Sequence, residues 1–181
     1  MEHIEKKIDS KTLFKGWVFS VSRDSVLLEN GVQTTRDVVH HRGAACVLPL
    51  TDERELYMVR QFRYAVGKEL LELPAGSLEV GEEPLKTAKR ELEEECGLIA
   101  DEYISLHAHY PTVGYCDEII YTWVAKGLHP VPMHLDEEEF LTPIKIPFEK
   151  ALQMILSGEI QDGKTVQGLL KAKLLMDDGT I

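Results

Sequence analysis

The sequence predicts a mixed α/β fold, either α+β or an α/β/α sandwich with a mixed sheet, plus an antiparallel β unit at the N-terminus. Three observations indicate this class. Strand-like runs lie on both sides of one central helical pattern, two more helical patterns follow, and an Asn-Gly pair separates extended runs near the start. The 181 residues suffice for one domain with an appendage. We expect the boundary to divide residues 1–42 from residues 43–181.

The N-terminal unit is predicted to be a β-hairpin around Asn30-Gly31. An Asn-Gly pair between extended runs favours a two-residue type I′ turn, because both central positions of that turn need a positive φ. A hairpin of this size buries too little apolar surface to be stable alone. We therefore expect it to pack on the main body or on a second subunit.

The main body is predicted to begin with three strands. The runs GAACVLPL, ELYMVRQF and ELLELPAG are rich in apolar residues, and turn-like residues separate the first from the second. The last of these strands is expected to end at Pro74. Further strands are predicted near residues 101–109, 118–125 and 140–146.

Three helices are predicted in the main body. Between Glu83 and Cys96 apolar residues recur at helical spacing, and Gly97 stands where a C-terminal cap is expected. Pro147 suits the first turn of the next helix and Gly158 its end, because proline has no N–H to offer and glycine accepts a positive φ. Asp162 suits the N-cap of the last helix.

Composition argues against several classes of partner. The net charge of −11 and the pI near 5.1 disfavour nonspecific binding to nucleic acid or to membranes, since both are polyanions. We expect no signal peptide and no membrane span, because no apolar run approaches the roughly 18–20 residues that a span requires. Three scattered cysteines without CxxC spacing predict reduced thiols and a cytoplasmic protein.

The predicted central helix carries an unusual concentration of carboxylates. In the run Arg90–Glu95, like charges at i,i+3 and i,i+4 repel each other by a few tenths of a kcal/mol per pair. At about 100° per residue, three of the glutamates share a face beside the apolar stripe. There are two explanations for these carboxylates. Either they face solvent, or they are hard oxygen ligands for Mg²⁺ or Mn²⁺. Glycines on both sides of the cluster favour the second explanation.

The same segment resembles the signature of the Nudix hydrolases, and every fixed position of that signature is matched. The matching residues are Gly76, Glu82, Arg90, Glu91, Leu92, Glu94, Glu95, Gly97 and Leu98. The flanking stretches VRQFRYAVGKELLELPAG and LDEEEFL, with the N-terminal β unit, are similar to the ADP-ribose pyrophosphatase branch over nearly the whole chain. The resemblance implies an α/β/α sandwich with a loop–helix–loop metal site. It also implies hydrolysis of a nucleoside diphosphate linked to another group.

The resemblance further implies a reaction in which water attacks a diphosphate whose charge is neutralised by Mg²⁺, with Mn²⁺ as the alternative. The implied metal ligands are the backbone carbonyl of Ala75 and the side chains of Glu91, Glu94 and Glu95, with Glu94 acting directly or through water. Glu82 and Arg90 are implied as supports that hold the loop and the helix carboxylates in place.

A general base is needed besides the metal ligands, because a bound cation depresses the proton affinity of the carboxylates that hold it. In this branch the base is a glutamate on a later loop, and the matching stretch here is DEEEF. The resemblance favours Glu139, the glutamate directly before the aromatic residue. Glu137 and Glu138 are close enough to compete, and at least one of the three is expected to be a solvated loop residue.

Four further residues are candidates for substrate contacts. Arg63 could pair with phosphate oxygens and Glu72 with a ribose hydroxyl or an adenine amine, whereas the alternative for both is a surface ion pair on a strand. Trp17 could stack on the base, although a tryptophan in a hairpin is commonly part of a core or an interface. Arg36 is a weaker candidate of the same kind.

The resemblance also implies a homodimer in which the N-terminal units exchange and complete each other's pockets; a monomer is the alternative. Three hypotheses for function remain. The first is hydrolysis of ADP-ribose to AMP and ribose 5-phosphate, the second is the same chemistry on another sugar nucleotide such as ADP-glucose or GDP-mannose, and the third is nucleotide sensing without turnover. The complete carboxylate set, without a basic helix-turn-helix extension, disfavours the third hypothesis.

Overall fold

The computed structural model describes residues 3–135 and 138–181. The chain forms two compact units. The N-terminal unit comprises Met1–Gly43 and Tyr110–Ile119, and the main unit comprises Ala44–His109 and Ile120–Ile181. Among the described residues, no helix combines the length and the apolarity that crossing a bilayer would require.

The N-terminal unit is a three-stranded antiparallel sheet in the order β1-β2-β3. Its strands are β1 (Lys6–Lys15), β2 (Phe19–Leu27) and β3 (Gln33–His41). The segment 110–119 joins this sheet at β3, where the Val39 N–H donates to the Tyr115 carbonyl at 2.7 Å. The unit is therefore built from two separate stretches of sequence.

The predicted hairpin around Asn30-Gly31 is present as β2 and β3, which pair antiparallel, but the prediction for its turn is wrong. The hairpin also has a third strand, because a turn at residues 16–18 divides the first extended run and β1 extends back to Lys6. The two-residue type I′ turn is replaced by a longer connection over residues 28–32, in which Gly31 has a positive φ of 80°. The Asn30 side chain accepts from the Val32 N–H at 3.1 Å. This local bond favours a turn around the asparagine over the tighter type I′ geometry.

The main unit contains two sheets. A mixed sheet has the order β7-β4-β9-β8, in which β4 and β9 are parallel, and a smaller antiparallel sheet has the order β10-β5-β6. The strands are β4 (Ala44–Pro49), β5 (Glu55–Arg63), β6 (Lys68–Glu72), β7 (Ala75–Ser77), β8 (Leu98–His109), β9 (Ile120–Pro130) and β10 (Leu141–Pro147).

The three predicted helices are present, with caps close to those expected. They are α1 (Pro84–Cys96), α2 (Phe148–Ser157) and α3 (Gly163–Asp177). Gly97 ends α1 in the left-handed conformation at φ 61°, and Gly158 ends α2 in the same way. The Asp162 side chain caps α3 by accepting from the Thr165 N–H at 3.0 Å. Pro147 lies one residue before α2, at its N-cap rather than in its first turn.

The central strand β4 shows why helices cover both faces of the mixed sheet. All its residues are buried, and successive side chains point to opposite faces. Ala45 and Val47 belong to one apolar cluster with Ala88 and Leu92 of α1. Cys46 and Leu48 belong to the other cluster, whose helical members are Phe148, Ala151, Leu169 and Ala172. The main unit is thus an α/β/α sandwich with a mixed sheet, which confirms the predicted fold class.

Candidate active site

The carboxylates of α1 are largely buried beside its apolar stripe. Glu91 is 5% exposed and Glu95 3% exposed, while Ala88 and Leu92 on the adjoining face are fully buried. The packing of the stripe therefore brings both glutamates inside the protein, so the solvated-helix explanation does not hold for them. Removing carboxylates from water is costly unless cations or hydrogen-bond donors compensate them. Glu93, on the opposite side of α1, is exposed.

Arg90 connects the carboxylates of the helix with the preceding loop. Its Nη1 lies 2.7 Å from Glu91 Oε1 and 2.8 Å from Glu94 Oε2, and its Nε lies 3.4 Å from Glu82 Oε1. Glu82 in turn accepts from the Glu79 N–H at 3.0 Å. This guanidinium fixes three carboxylates relative to one another. The role of Arg90 and Glu82 as supports of a metal site stays a prediction.

Strand β7 brings the backbone of Ala75 and Gly76 against the two buried carboxylates. The Ala75 N–H donates to Glu95 Oε2 at 3.0 Å. A Cβ built on Gly76 would lie 1.8 Å from Glu91 Oε1. No side chain can occupy that space without displacing the carboxylate. Glycine is therefore required at this position for close approach rather than for a positive φ.

Replacing Gly76 with alanine should disable the site without unfolding the chain. The new methyl group would push the Glu91 carboxylate aside, and a glutamate side chain can rotate away at little cost to the fold. We expect activity to fall at least about a hundredfold, because displacing a group by about 1 Å at a reactive site has effects of this size. Steady-state kinetics measure the loss, and circular dichroism confirms the fold. Gly114→Ala is the matched control, since a Cβ there meets nothing within 4 Å.

Both buried carboxylates hold their protons unusually tightly. Burial is the main cause that raises the pKa of Glu91 to about 7 and that of Glu95 to about 8. The charge of Glu91 adds to the shift in the pKa of Glu95, whereas Arg90 partly offsets the shift at Glu91. Excess negative charge thus accumulates where α1 meets β7. A divalent cation would fit this donor set, because it would neutralise these charges.

The side chains do not by themselves form a closed metal cage. Within residues 3–135 and 138–181, no three His, Cys, Asp or Glu side chains are grouped as a ready set of ligands. Arg90 occupies oxygens of Glu91 and Glu94, as described above, and one predicted ligand, the Ala75 carbonyl, is a backbone atom. Such an open arrangement suits Mg²⁺, which commonly keeps water and substrate oxygens in its coordination sphere.

The three candidates for the general base differ in their surroundings. Glu139 is half-buried, and its charge contributes to the raised pKa of both Glu91 and Glu95. Glu138 is exposed. Glu137 lies outside the described residues. Of the two described candidates, Glu139 is therefore the half-buried one, and its charge reaches the α1 carboxylates.

Arg63 and Glu72 bind each other in a bidentate ion pair. Arg63 Nε and Nη2 donate to the two Glu72 carboxylate oxygens, each at 2.7 Å. Glu72 is 1% exposed, so this is a buried partner rather than the surface ion pair considered above. Lys164, at the start of α3, also donates to Glu72. The sequence did not predict this role of Lys164, because the lysine is remote in sequence from Glu72 and only the Asp162 cap drew attention to its surroundings.

Trp17 and Arg36 both belong to the N-terminal unit. Trp17 lies in the turn between β1 and β2 and is 92% exposed, so it is not part of a core within that unit. Arg36, on β3, pairs with Glu5 at 2.7 Å. Their contacts with a substrate stay predictions.

Comparisons with known proteins show the family to which the chain is related. Residues 39–168 match the NUDIX domain family. The ADP-ribose pyrophosphatase of Bacillus subtilis (strain 168) is 40% identical over 167 residues, which cover 91% of this chain and 90% of that protein. The methanol dehydrogenase activator of Bacillus methanolicus is 42% identical over 164 residues, which cover 90% of this chain and 89% of that protein.

A solved structure shares the fold. The crystal structure of an ADP compounds hydrolase superposes with a TM-score of 0.85, covering 98% of this chain and 97% of its own, at 21% identity. The family match includes β4, the Gly76 loop, the carboxylate helix and Lys164. On the strength of that match and of relatives similar over nine-tenths of its length, this chain belongs to the Nudix hydrolase family.

Proposed function

We propose that this chain hydrolyses the diphosphate of ADP-ribose to AMP and ribose 5-phosphate with the help of a divalent cation. The observation that carries the proposal is the pair of buried carboxylates, Glu91 and Glu95, held against the backbone at Gly76. Support for ADP-ribose as the substrate comes from the Bacillus subtilis pyrophosphatase, which is similar to nearly the whole chain.

The cation would be Mg²⁺ or Mn²⁺. The groups that would hold it are the Ala75 carbonyl and the carboxylates of Glu91, Glu95 and, directly or through water, Glu94. When bound, it supplies the positive charge that offsets the negative charge of the diphosphate. Arg90 and Glu82 keep the helix and the loop in register, so that these oxygens stay together.

Glu139 is the proposed general base. It accepts a proton from the water whose oxygen forms a bond to one phosphorus of the diphosphate. The bond from that phosphorus to the bridging oxygen breaks, and the bridging oxygen leaves with the electron pair on the second phosphate. AMP and ribose 5-phosphate are the two products.

Arg63 is the proposed phosphate contact. Two of its three nitrogens bond Glu72, and the guanidinium is partly exposed, so the third nitrogen is available to a phosphate oxygen. The predicted contact of Glu72 with a ribose hydroxyl or an adenine amine is harder to accommodate, since both Glu72 oxygens already accept from Arg63 and one also from Lys164.

A substrate panel tests the proposal. ADP-ribose, ADP-glucose, GDP-mannose, UDP-glucose, NADH and a nucleoside triphosphate are each incubated with the chain and Mg²⁺, and the products are identified. We expect ADP-ribose to lead in kcat/KM by about tenfold or more, the scale on which pocket contacts separate related substrates. A lead by another sugar nucleotide would overturn the substrate assignment and keep the chemistry. Tight binding of nucleotide with no turnover would indicate a sensing module.

The effect of Mg²⁺ on stability should depend on pH. The pKa values of Glu91 and Glu95 are about 7 and about 8, above the ordinary value of 4.5. Protonation of these two groups therefore stabilises the fold at low pH, and this contribution is lost as the pH rises through their pKa values. At the higher pH the two carboxylates would be charged, and a bound Mg²⁺ would neutralise them. Thermal melting at about pH 5.5 and about pH 8.5 should show a larger Mg²⁺-induced rise in Tm at the higher pH. Equal rises at the two values would contradict this account; NaCl at matched ionic strength is the control.

We also propose a homodimer formed through the N-terminal unit. Strand β1 is exposed along its whole length, and several exposed apolar side chains lie on this unit. These are Ile4, Ile8, Leu13, Phe14, Val18, Phe19 and Val32. An exposed apolar sheet of this kind is typical of an interface. Analytical ultracentrifugation should show twice the chain mass of 20.5 kDa, whereas a single 20.5 kDa species would contradict the dimer. Pockets shared between the subunits stay a prediction.

The cytoplasmic setting is likewise a proposal. Cys46, Cys96 and Cys116 are all free thiols, as expected of a reducing compartment.

A further inference from the structure

Lys164 is a buried ammonium group for which the chemistry above has no role. It lies in the first turn of α3, and its side chain is mostly buried. Its Nζ contacts Glu72 Oε2 and, at 2.9 Å, Asp162 Oδ2. A buried ammonium is tolerated when it is paired and hydrogen-bonded, and this one contacts two carboxylates.

The lysine belongs to a group of two cations and two anions, which are Arg63, Glu72, Asp162 and Lys164. Asp162 also accepts from the Thr165 N–H at 3.0 Å and from the Thr165 hydroxyl at 2.6 Å. That hydroxyl in turn accepts from the Leu73 N–H, the residue after Glu72, at 2.8 Å. The start of α3 is therefore bonded to the end of β6 by the Lys164–Glu72 pair, and to the following residue by the bond from the Leu73 N–H to Thr165. Charges within the group balance, and each carboxylate has at least two donors.

The guanidinium of Arg63 is the outer member of this group. Its side chain is partly exposed, whereas Glu72 beneath it is almost completely buried. Its Nη1 makes no hydrogen bond to any residue in the described part of the chain, while Nε and Nη2 are both bonded to Glu72. The orientation of Arg63 therefore depends on the position of the Glu72 carboxylate. That position in turn depends on Lys164.

We propose that Lys164 is a positioning residue for substrate binding, which holds Glu72 so that Arg63 presents its free nitrogen to a phosphate oxygen of a nucleoside diphosphate. The inference rests on the proposed function to the extent that it assigns Arg63 to the diphosphate. Loss of Lys164 would have two effects in the same direction. First, Glu72 would lose one of its two cations, so its carboxylate would hold the Arg63 guanidinium less firmly. Second, the four-residue group would acquire a net negative charge, which repels the diphosphate.

A double-mutant cycle on ADP binding tests the proposal without requiring turnover. Isothermal titration calorimetry with Mg²⁺ present measures the Kd for ADP of the wild type, Lys164→Met, Arg63→Ala and the double variant. We expect Lys164→Met to weaken binding about tenfold or more in the wild-type background and less than about twofold in the Arg63→Ala background, because the lysine acts through the arginine. The same factor in both backgrounds, no effect in either, or no binding of ADP to the wild type would overturn the proposal.

Two further variants separate positioning from loss of the fold. Lys164→Gln keeps a hydrogen-bond donor for Glu72 but removes the charge, and is used if Lys164→Met does not fold by circular dichroism. It should also weaken ADP binding, and a folded Lys164→Gln with wild-type affinity would overturn the proposal. Lys173→Met, at a partly exposed position of the same helix where the lysine pairs only with Asp177 among the described residues, is the matched control and should bind as the wild type does. Hydrolysis of ADP-ribose is assayed separately, so a failure of the proposed function is distinguished from a failure of this inference.

Discussion

Replacing Glu95 with glutamine should lower kcat by about a thousandfold or more and leave the fold intact, since the amide cannot supply the charge that a divalent cation requires. Glu95 is the more deeply buried of the two α1 carboxylates, and it is bonded to the Ala75 N–H on β7. Glutamine has the same shape and keeps an acceptor for that bond. At about pH 7 the variant should therefore melt at a similar temperature without metal, because a neutral amide replaces a carboxyl group whose pKa is raised to about 8.

Glu93→Gln is the matched control for this experiment. Glu93 lies on the same helix two residues earlier, but its side chain is exposed. The control should retain wild-type activity. If Glu95→Gln keeps activity within about tenfold of the wild type, an effect too small for a lost metal ligand, the assignment of the metal site to α1 is wrong.

Replacing Glu139 with glutamine should lower kcat by about a hundredfold to ten-thousandfold, the range typical of a lost general base, with little change in metal affinity. Glu139 is half-buried near the charges of Glu91 and Glu95, yet it is on the loop before β10 rather than on α1. Steady-state kinetics measure the loss of kcat, and a Mg²⁺ titration measures the metal affinity.

Two companion variants, Glu138→Gln and Glu137→Gln, test which glutamate of the loop is the base. Glu138 is exposed, so its replacement should leave kcat within about twofold of the wild type, as is usual for a solvated surface residue. If either companion shows the large loss instead, the base is that residue and the register of the loop has been assigned wrongly.

The parts of the fold that a sequence predicts well are those in which one local pattern decides the structure. Helix α1 combines an apolar stripe with a glycine cap, and both act within a few turns of chain. Strand β4 is a continuous apolar run that suits burial on both faces. The sequence does not predict β1 as a separate strand, because its ten residues are all exposed and it is defined by its pairing with β2.

The candidate site also contains residues that a local pattern places and contacts that form only through packing. The carboxylates of α1 were predicted because helical geometry alone places them together. The contacts that support them are not local: Ala75 meets Glu95 through the packing of β7 on the helix, and Lys164 meets Glu72 only after α3 packs on the sheet. No spacing in the sequence encodes those two contacts. The sequence accordingly leaves Glu72 as a candidate for a substrate contact or for a surface ion pair, whereas the structure shows its buried carboxylate bonded to two cations.

The most direct test of the account is to incubate ADP-ribose with the purified chain, with Mg²⁺ or with EDTA, and to identify the products. The account predicts AMP and ribose 5-phosphate in equal amounts with Mg²⁺, no hydrolysis with EDTA, and full recovery when Mg²⁺ is added back. Undiminished hydrolysis in EDTA, or no product under any condition, would contradict the claim that the buried carboxylates of α1 hold a catalytic cation.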